Sequence, residues 1–435
     1  MNLKQLQDFY SDNGCQKFYV KVLSSNDNSK NQVYLGGNFE ILNIFPISNI
    51  ETESAGNWER ERFKASIHFS WISDDGNLYP ALKSQLILYP KYPEVRFSGF
   101  LAGCENPPSE LMTQRLDGRY LFLSVSNKGV ILGYVASPSA DISKEIQNLD
   151  LSDRIGVFMV FDLPKIENNR ERLINELKRI HQQEWIVSKR LNKNGDILPC
   201  QSSNCGGYTL EAELGITPNG YSEPDFLGWE IKQFGVNNFD RLNSKIITLM
   251  TPEPTDGMYA SEGVEAFINK YGYTDKKLRA DRKNFGGIHK SGRRQSLTGL
   301  ELKLIGFDLA ELKIRSANGM IALIDKAGNI AASWSFSSLL LHWNRKHNQA
   351  CYVPSLTTTI PEKKYKYGNR VILGIGTDFK LFLNEMAIGN IYYDPGIKME
   401  NISTKLIIKR RSQFRIKSVN LKNLYIKNEL ISVNK

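Results

Sequence analysis

Asp225, Glu230 and Lys232 are the residues of this chain whose types and spacing could carry out hydrolysis. They stand in the stretch Pro224-Asp225-Phe226-Leu227-Gly228-Trp229-Glu230-Ile231-Lys232. In an extended strand, residues i and i+2 share a face about 7 Å apart. Glu230 and Lys232 would therefore project together, while Trp229 and Ile231 pack the opposite way. Gly228 permits a bend that swings the Asp225 carboxylate next to that of Glu230. Two hard oxygen ligands plus water suit Mg²⁺, which keeps an octahedral shell at about 2.1 Å. Such an ion neutralises charge building on a phosphate and acidifies a bound water. A lysine beside it can orient or deprotonate that water and offset the growing negative charge. Glu211, fourteen residues before Asp225, falls in a predicted helix and adds a carboxylate. Glu213 competes for that role but points about 200° away on a helix. A Glu and a Lys two apart are also what an exposed amphipathic strand presents, so the pattern depends on its context.

The elements that must position these residues can be read from periodicity. A chain of 435 residues is long for a single core, and two domains are expected, 1–163 and 164–435. The first is strand-rich, with short β-branched or aromatic runs at 18–23, 84–89 and 120–125, turns at 74–77 and 127–129, and one helix over 3–10. In the second, Leu173, Ile174, Leu177 and Ile180 recur at helical spacing and predict an opening helix over 166–185. Strands at 228–233, 320–324 and 371–375 then mix with helices at 262–270 and 337–346, an α/β or α+β layered domain. Neither internal repeats nor low-complexity tracts are found.

In that context the Thr209-Leu210-Glu211 and Leu214-Gly215-Ile216 stretch, followed by Pro224-Asp225 and Gly228-Trp229-Glu230-Ile231-Lys232, resembles the MvaI/BcnI group of restriction endonucleases and the related mismatch-repair nickase MutH. The ordered set of helical Glu, Asp fourteen residues later and then Glu-x-Lys carries the resemblance. It extends through Leu341 to His347, Cys351 to Pro354 and Arg410 to Arg415, about 165–430 in all. It implies a PD-(D/E)xK fold, Mg²⁺ dependence with Asp225 and Glu230 as ligands, and cleavage of short C-C-x-G-G-type sites by a monomer, C-C-W-G-G being favoured. The Lys21-Val22-Leu23-Ser24-Ser25-Asn26-Asp27 stretch resembles the effector domain of EcoRII, a β-rich pseudobarrel whose two arms grip the DNA major groove. That resemblance implies a first arm over 21–31, with Lys21, Ser24, Ser25, Asn26, Asp27 and Asn28, and a second around Lys91, Glu94 and Arg96, together binding a further copy of the site. Asn and Lys can donate to purine edges and Asp can accept from cytosine N4, at about 1–3 kcal/mol per good bidentate pair. Asn-Asp-Asn-Ser is equally turn chemistry.

A formal charge of +10 makes nucleic acid a natural partner but identifies no reaction. Basic residues concentrate at 276–294, with Lys290, Arg293 and Arg294, and at 405–435, with Arg410, Arg411 and Arg415. These are candidates for phosphate or guanine contacts, although a run of charge is also an ordinary solvated face. Trp343 reads as core, and Lys346 and His347 beside it as candidate DNA contacts. The pair His342 and His347 is weak as a zinc signature. Five cysteines fit a reducing cytoplasm better than a disulfide framework, and Cys200 with Cys205 reads as incidental. No apolar run is long enough to span a bilayer and the first residues lack a secretion signal, so a cytoplasmic protein is expected. Two other functions share these residues, a strand-specific repair nickase and a DNA-binding regulator on an inactive nuclease fold.

Overall fold

The computed structural model describes the whole chain except residues 26–31, 54–60, 92, 150–152, 164–168, 218–223, 243–244, 276–280, 404 and 435, and the side chain of Arg345. Two compact units emerge, Met1–Glu167 with Arg315–Ala317, and Asn168–Ile314 with Asn318–Lys435.

The first unit is built from two sheets. The larger has seven strands, with Lys17–Leu23 between Phe158–Asp162 and Arg119–Val125, continuing through Ile131–Ala136 and Phe69–Ile72. Five strands form the smaller, in the order Gln32–Gly36, Glu94–Ser98, Gln85–Tyr89, Arg62–Ser66, Asn49–Glu53. Helices Leu3–Asp12 and Asp141–Gln147 bury Leu6, Tyr10, Ile142 and Ile146 with Phe18, Val20 and Phe122 of the larger sheet. Leu123 and Ile131 of that sheet meet Leu86 and Phe97 of the smaller around a small apolar cavity. No closed barrel is seen among the described residues; the expected pseudobarrel corresponds here to two sheets sharing a core.

In the second unit, helix Asn169–Gln182 turns Leu173, Leu177 and Ile180 inward at helical spacing. They pack on a mixed sheet whose long central strand, Gln349–Thr358, pairs antiparallel with Lys364–Tyr367 and Arg370–Ile375 and parallel with Glu230–Gly235. A parallel pairing needs a crossover between its strands, and the residues between them supply strands to four further small sheets and rings to an aromatic cluster that Tyr393 and Phe414 complete. Phe267, Phe285, His289, Trp334, Tyr393 and Phe414 pack there edge to face or tilted, with Phe285 stacked on His289, at centroid distances of 4.6–5.9 Å. The expected strands and helices of this unit are present: Glu230–Gly235, Met320–Ile324, Arg370–Ile375, Gly263–Tyr271 and Phe336–His347.

Candidate active site

The site begins with a two-residue hairpin turn. Phe226 and Trp229 exchange backbone hydrogen bonds of 3.0 and 2.8 Å, and Leu227 and Gly228 between them have φ of +50° and +83°. Positive φ at both central positions is the turn that matches strand twist, cheap for glycine and costly for leucine. The turn brings the Asp225 carboxylate over the strand, where Oδ2 accepts the backbone N–H of Ile231 at 2.9 Å. Trp229 and Ile231 then enter the core with Leu210, Cys351 and Val353. Glu230 and Lys232 share the other face, but it is covered rather than solvated. The Glu230 side chain is 1% exposed and that of Lys232 24%.

The helix Cys205–Glu213 lies tightly on this strand. A Cβ at Gly206 would stand 2.7 Å from the Gln233 side chain, and the Tyr367 hydroxyl donates to the Gly206 carbonyl at 2.7 Å. A disulfide joins Cys205 at the helix start to Cys200. The expectation that this pair is incidental is therefore corrected: the turn at 200–204 places the two Cα atoms 5.7 Å apart. Glu213 pairs with Lys189 and Arg179, leaving Glu211 as the helical carboxylate that faces Asp225 and Glu230 electrostatically.

The charges there are unequal in consequence. Burial, with Glu230 close by, pushes the Asp225 carboxyl up to about 6. Burial, with Asp225 close by, pushes Glu211 up to about 6. Burial also works against ionised Glu230, but Lys232 and Lys346 outweigh it and hold that carboxyl below its ordinary value. The Lys232 ammonium, disfavoured by burial, is more than restored by Glu230, Asp225 and Glu211, so its pKa lies above the ordinary value. Lys232 donates to Glu230 Oε1, whereas Oε2 is buried with no hydrogen-bond partner. A buried carboxylate oxygen without a donor is costly unless a cation covers it, and this orphan acceptor beside Asp225 fits a divalent ion. Among the described residues no three His, Cys, Asp or Glu side chains form a metal cage. Two carboxylates would leave the remaining octahedral positions to water and substrate, as Mg²⁺ usually requires.

The helix Phe336–His347 closes the site from the far side of the sequence. Phe336, Leu339, Leu340, Trp343 and His347 are fully buried along one stripe, so Trp343 is core as expected. His347 is corrected from a DNA contact to an interior residue. Its Nε2 lies 3.1 Å from the Leu249 carbonyl, which only accepts, so Nε2 carries the proton. Nδ1 then accepts from the Tyr425 hydroxyl at 3.1 Å, and that oxygen accepts from Tyr352 at 2.6 Å. Burial, with Lys232 nearby, lowers His347 to about 3 and keeps it neutral. One helical step away, Lys346 leaves the core stripe and reaches Glu230 Oε1 at 3.7 Å. Sequence reasoning placed Lys346 on DNA and missed its position in the carboxylate cluster.

The other basic candidates divide by what already holds them. Arg293, Arg410 and Arg411 are exposed, and Lys290 is half-buried with its ammonium 5.6 Å from the centre of the Tyr392 ring. Arg294 is tied to Glu301 and to the carbonyls of Gly299 and Ile324, and Arg415 to Asp394 at 2.6 Å. The guanidinium donors of those two are thus engaged within the fold. In the first unit, Lys21 is buried with its ammonium 3.3 Å from the Val22 carbonyl, which corrects its reading as an exposed base reader. Ser24 and Lys91 are exposed, Ser25 donates its N–H to Asp117, and Arg96 pairs with Glu94 at 2.6 Å. Asn26, Asp27 and Asn28, with the rest of the expected first arm to residue 31, lie outside the described residues, as do 276–280 of the basic stretch.

Comparison with known proteins follows the same division of the chain. The model of the MvaI/BcnI restriction endonuclease family matches residues 174–425, a span that holds Glu211, Asp225, Glu230, Lys232 and Lys346. Among solved structures the chain is similar to restriction endonuclease MvaI in complex with cognate DNA. That match has 18% identity over 61% of this chain and 99% of the other, with a TM-score of 0.46. The DNA-free form of MvaI matches at 17% identity with the same coverage and a TM-score of 0.34. No curated protein matches.

Proposed function

Since the chain belongs to the MvaI/BcnI restriction endonuclease family, we propose that it is a type II enzyme that cuts double-stranded DNA at a short C-C-x-G-G-type site with Mg²⁺, C-C-W-G-G being favoured. The observation that carries this reading is the orphaned, buried Glu230 Oε2 next to Asp225 and Lys232. Asp225 and Glu230 would hold the ion, which when bound neutralises phosphate charge and acidifies water.

The protein's own groups take the remaining tasks. Lys232 is held protonated by its acidic neighbours, so it suits orienting a water and offsetting charge better than abstracting a proton. Glu211, raised to about 6, is poised to accept a proton from the attacking water at neutral pH. Arg293, Arg410 and Arg411, which are exposed, and Lys290 would meet phosphates or base edges. The first unit binds a further copy of the site as effector or tether, through exposed residues such as Ser24 and Lys91, while the enzyme acts as a monomer in the cytoplasm. Among the described residues no helix is long and apolar enough to cross a membrane.

Incubating the protein with a plasmid and Mg²⁺ and mapping both strands of the fragment ends tests this directly. Defined double-strand ends are expected, and Asp225→Ala should abolish cutting while sparing DNA binding. A product with one strand intact would select the repair nickase instead, and cutting by Asp225→Ala would remove that residue from the mechanism.

A further inference from the structure

Glu230 carries more cation than its own charge requires. Lys232 already donates to Oε1 from the same strand, and Lys346 approaches that same oxygen at 3.7 Å from another element. At that distance the second contact is a loose ion pair rather than a hydrogen bond. The Lys346 side chain is 21% exposed and that of Lys232 24%, whereas the carboxylate that both face is 1% exposed. The Lys346 Cα is fixed. The next residue, His347, is locked by Leu249 and by the Tyr425–Tyr352 pair, and its ring stacks on Trp343 at 4.0 Å. The movable part is the four-carbon stem of Lys346, whose ammonium has, among the described residues, the 3.7 Å contact with Glu230 as its ion pair.

We propose that Lys346 is a second catalytic lysine, which covers Glu230 Oε1 in the resting site and turns to the scissile phosphate when a divalent cation takes up the Glu230 carboxylate. The inference rests on the nuclease reading above. Two ammoniums and a divalent ion on one carboxylate would repel one another, and the looser pair, Lys346 at 3.7 Å, is the one to yield. An incoming phosphodiester supplies the negative charge that Lys346 then faces. In the reaction a water oxygen bonds to phosphorus as one of its protons passes to Glu211, the bond to the leaving ester oxygen breaks, and that oxygen leaves with a proton drawn from solvent. Lys346 keeps its own proton throughout and offsets the charge added to the phosphoryl oxygens. Influence on all three carboxylates supports the placement, since Lys346 favours the ionised forms of Glu211, Asp225 and Glu230 alike.

The test uses the full-length protein at pH 8 with Lys346→Met, Lys346→Arg and Asp225→Ala. Two quantities are measured: Mn²⁺ affinity without DNA, by titration calorimetry, and the single-turnover cleavage rate with Mg²⁺. Removing the competing ammonium should tighten Mn²⁺ binding several-fold in Lys346→Met and slow cleavage about 10²-fold, the order seen on losing one charge-stabilising donor. Lys346→Arg, which keeps the charge, should recover part of the rate and the original Mn²⁺ affinity. Cleavage by Lys346→Met at the parent rate would overturn the proposal, as would slow cleavage with unchanged or weaker Mn²⁺ binding. If Asp225→Ala also cuts normally, the nuclease reading itself fails. If Asp225→Ala is inert while Lys346→Met cuts normally, only the role of Lys346 fails.

Discussion

Three carboxylates and two lysines in one half-buried cluster cannot all keep ordinary proton affinities, and Asp225 and Glu211 carry the imbalance, both raised to about 6. For a carboxyl whose folded pKa lies above its unfolded one, the folded state is favoured below the unfolded value. That advantage is lost as pH rises through the folded value. Metal-free protein should therefore lose stability between about pH 4 and 6 from these two groups, against the usual trend for ion-paired carboxylates. Melting in chelator at pH 4.5 and pH 7.5 should show Asp225→Asn gaining on the parent protein at the higher pH, and no such gain would put Asp225 in a more solvated position. The same protons compete with a divalent ion. Metal affinity should weaken as pH falls through about 6, one unit or more above where ordinary carboxylates would release it.

At the scale of elements, the site depends on a turn that the sequence announces and on a helix, Phe336–His347, whose place beside that turn it does not. Leu227 and Gly228 occupy left-handed backbone, and the turn carries Asp225 to the backbone N–H of Ile231. Gly228→Val puts a β-branched side chain where such residues are most strained. It should cost about 1–3 kcal/mol in urea unfolding and weaken divalent-ion binding as Asp225 shifts; unchanged binding would show that the turn does not set the carboxylate. The hairpin, the strand Glu230–Gly235 and the helix holding Glu211 were legible because they are local, with an alternating pattern, a glycine at the bend and helical spacing all within about thirty residues. Lys346 was not, because its neighbourhood comes from a parallel strand pairing across more than a hundred residues, which no local period encodes. His347 could have been placed from sequence: Phe336, Leu339, Leu340 and Trp343 mark a helical stripe, and position 347 continues it. Cys200 and Cys205 were obscured by an argument from overall cysteine count, which cannot see that one turn brings two of them together.

Across the whole molecule, the charge of +10 is divided unevenly between two separately packed units: the first holds 17 Lys and Arg against 20 Asp and Glu, the second 39 against 26, and much of the basic side chain is already committed within each. Arg96, Arg294 and Arg415 are paired with acids of their own units. For DNA binding the exposed basic side chains matter most, among them Lys91 in the first unit and Arg293, Arg410 and Arg411 in the second. If the first unit binds a second copy of the site and that binding favours an active state, the coupling must be seen without any change in the cleavage site itself. A short duplex carrying the recognition sequence, added in trans, should raise the rate on a plasmid with one site and have little effect on a plasmid with two. Lys91→Glu should diminish that stimulation while the unstimulated rate stays the same, because the substitution lies outside the catalytic unit. It should also flatten the salt dependence of duplex binding by about one unit of logarithmic slope if Lys91 meets a phosphate. Equal rates on the two plasmids, insensitive to added duplex, would mean that the first unit tethers DNA without activating the second. In that case Lys91→Glu should weaken binding and leave the rate at saturating DNA untouched, a separation of affinity from turnover that distinguishes a tether from a switch.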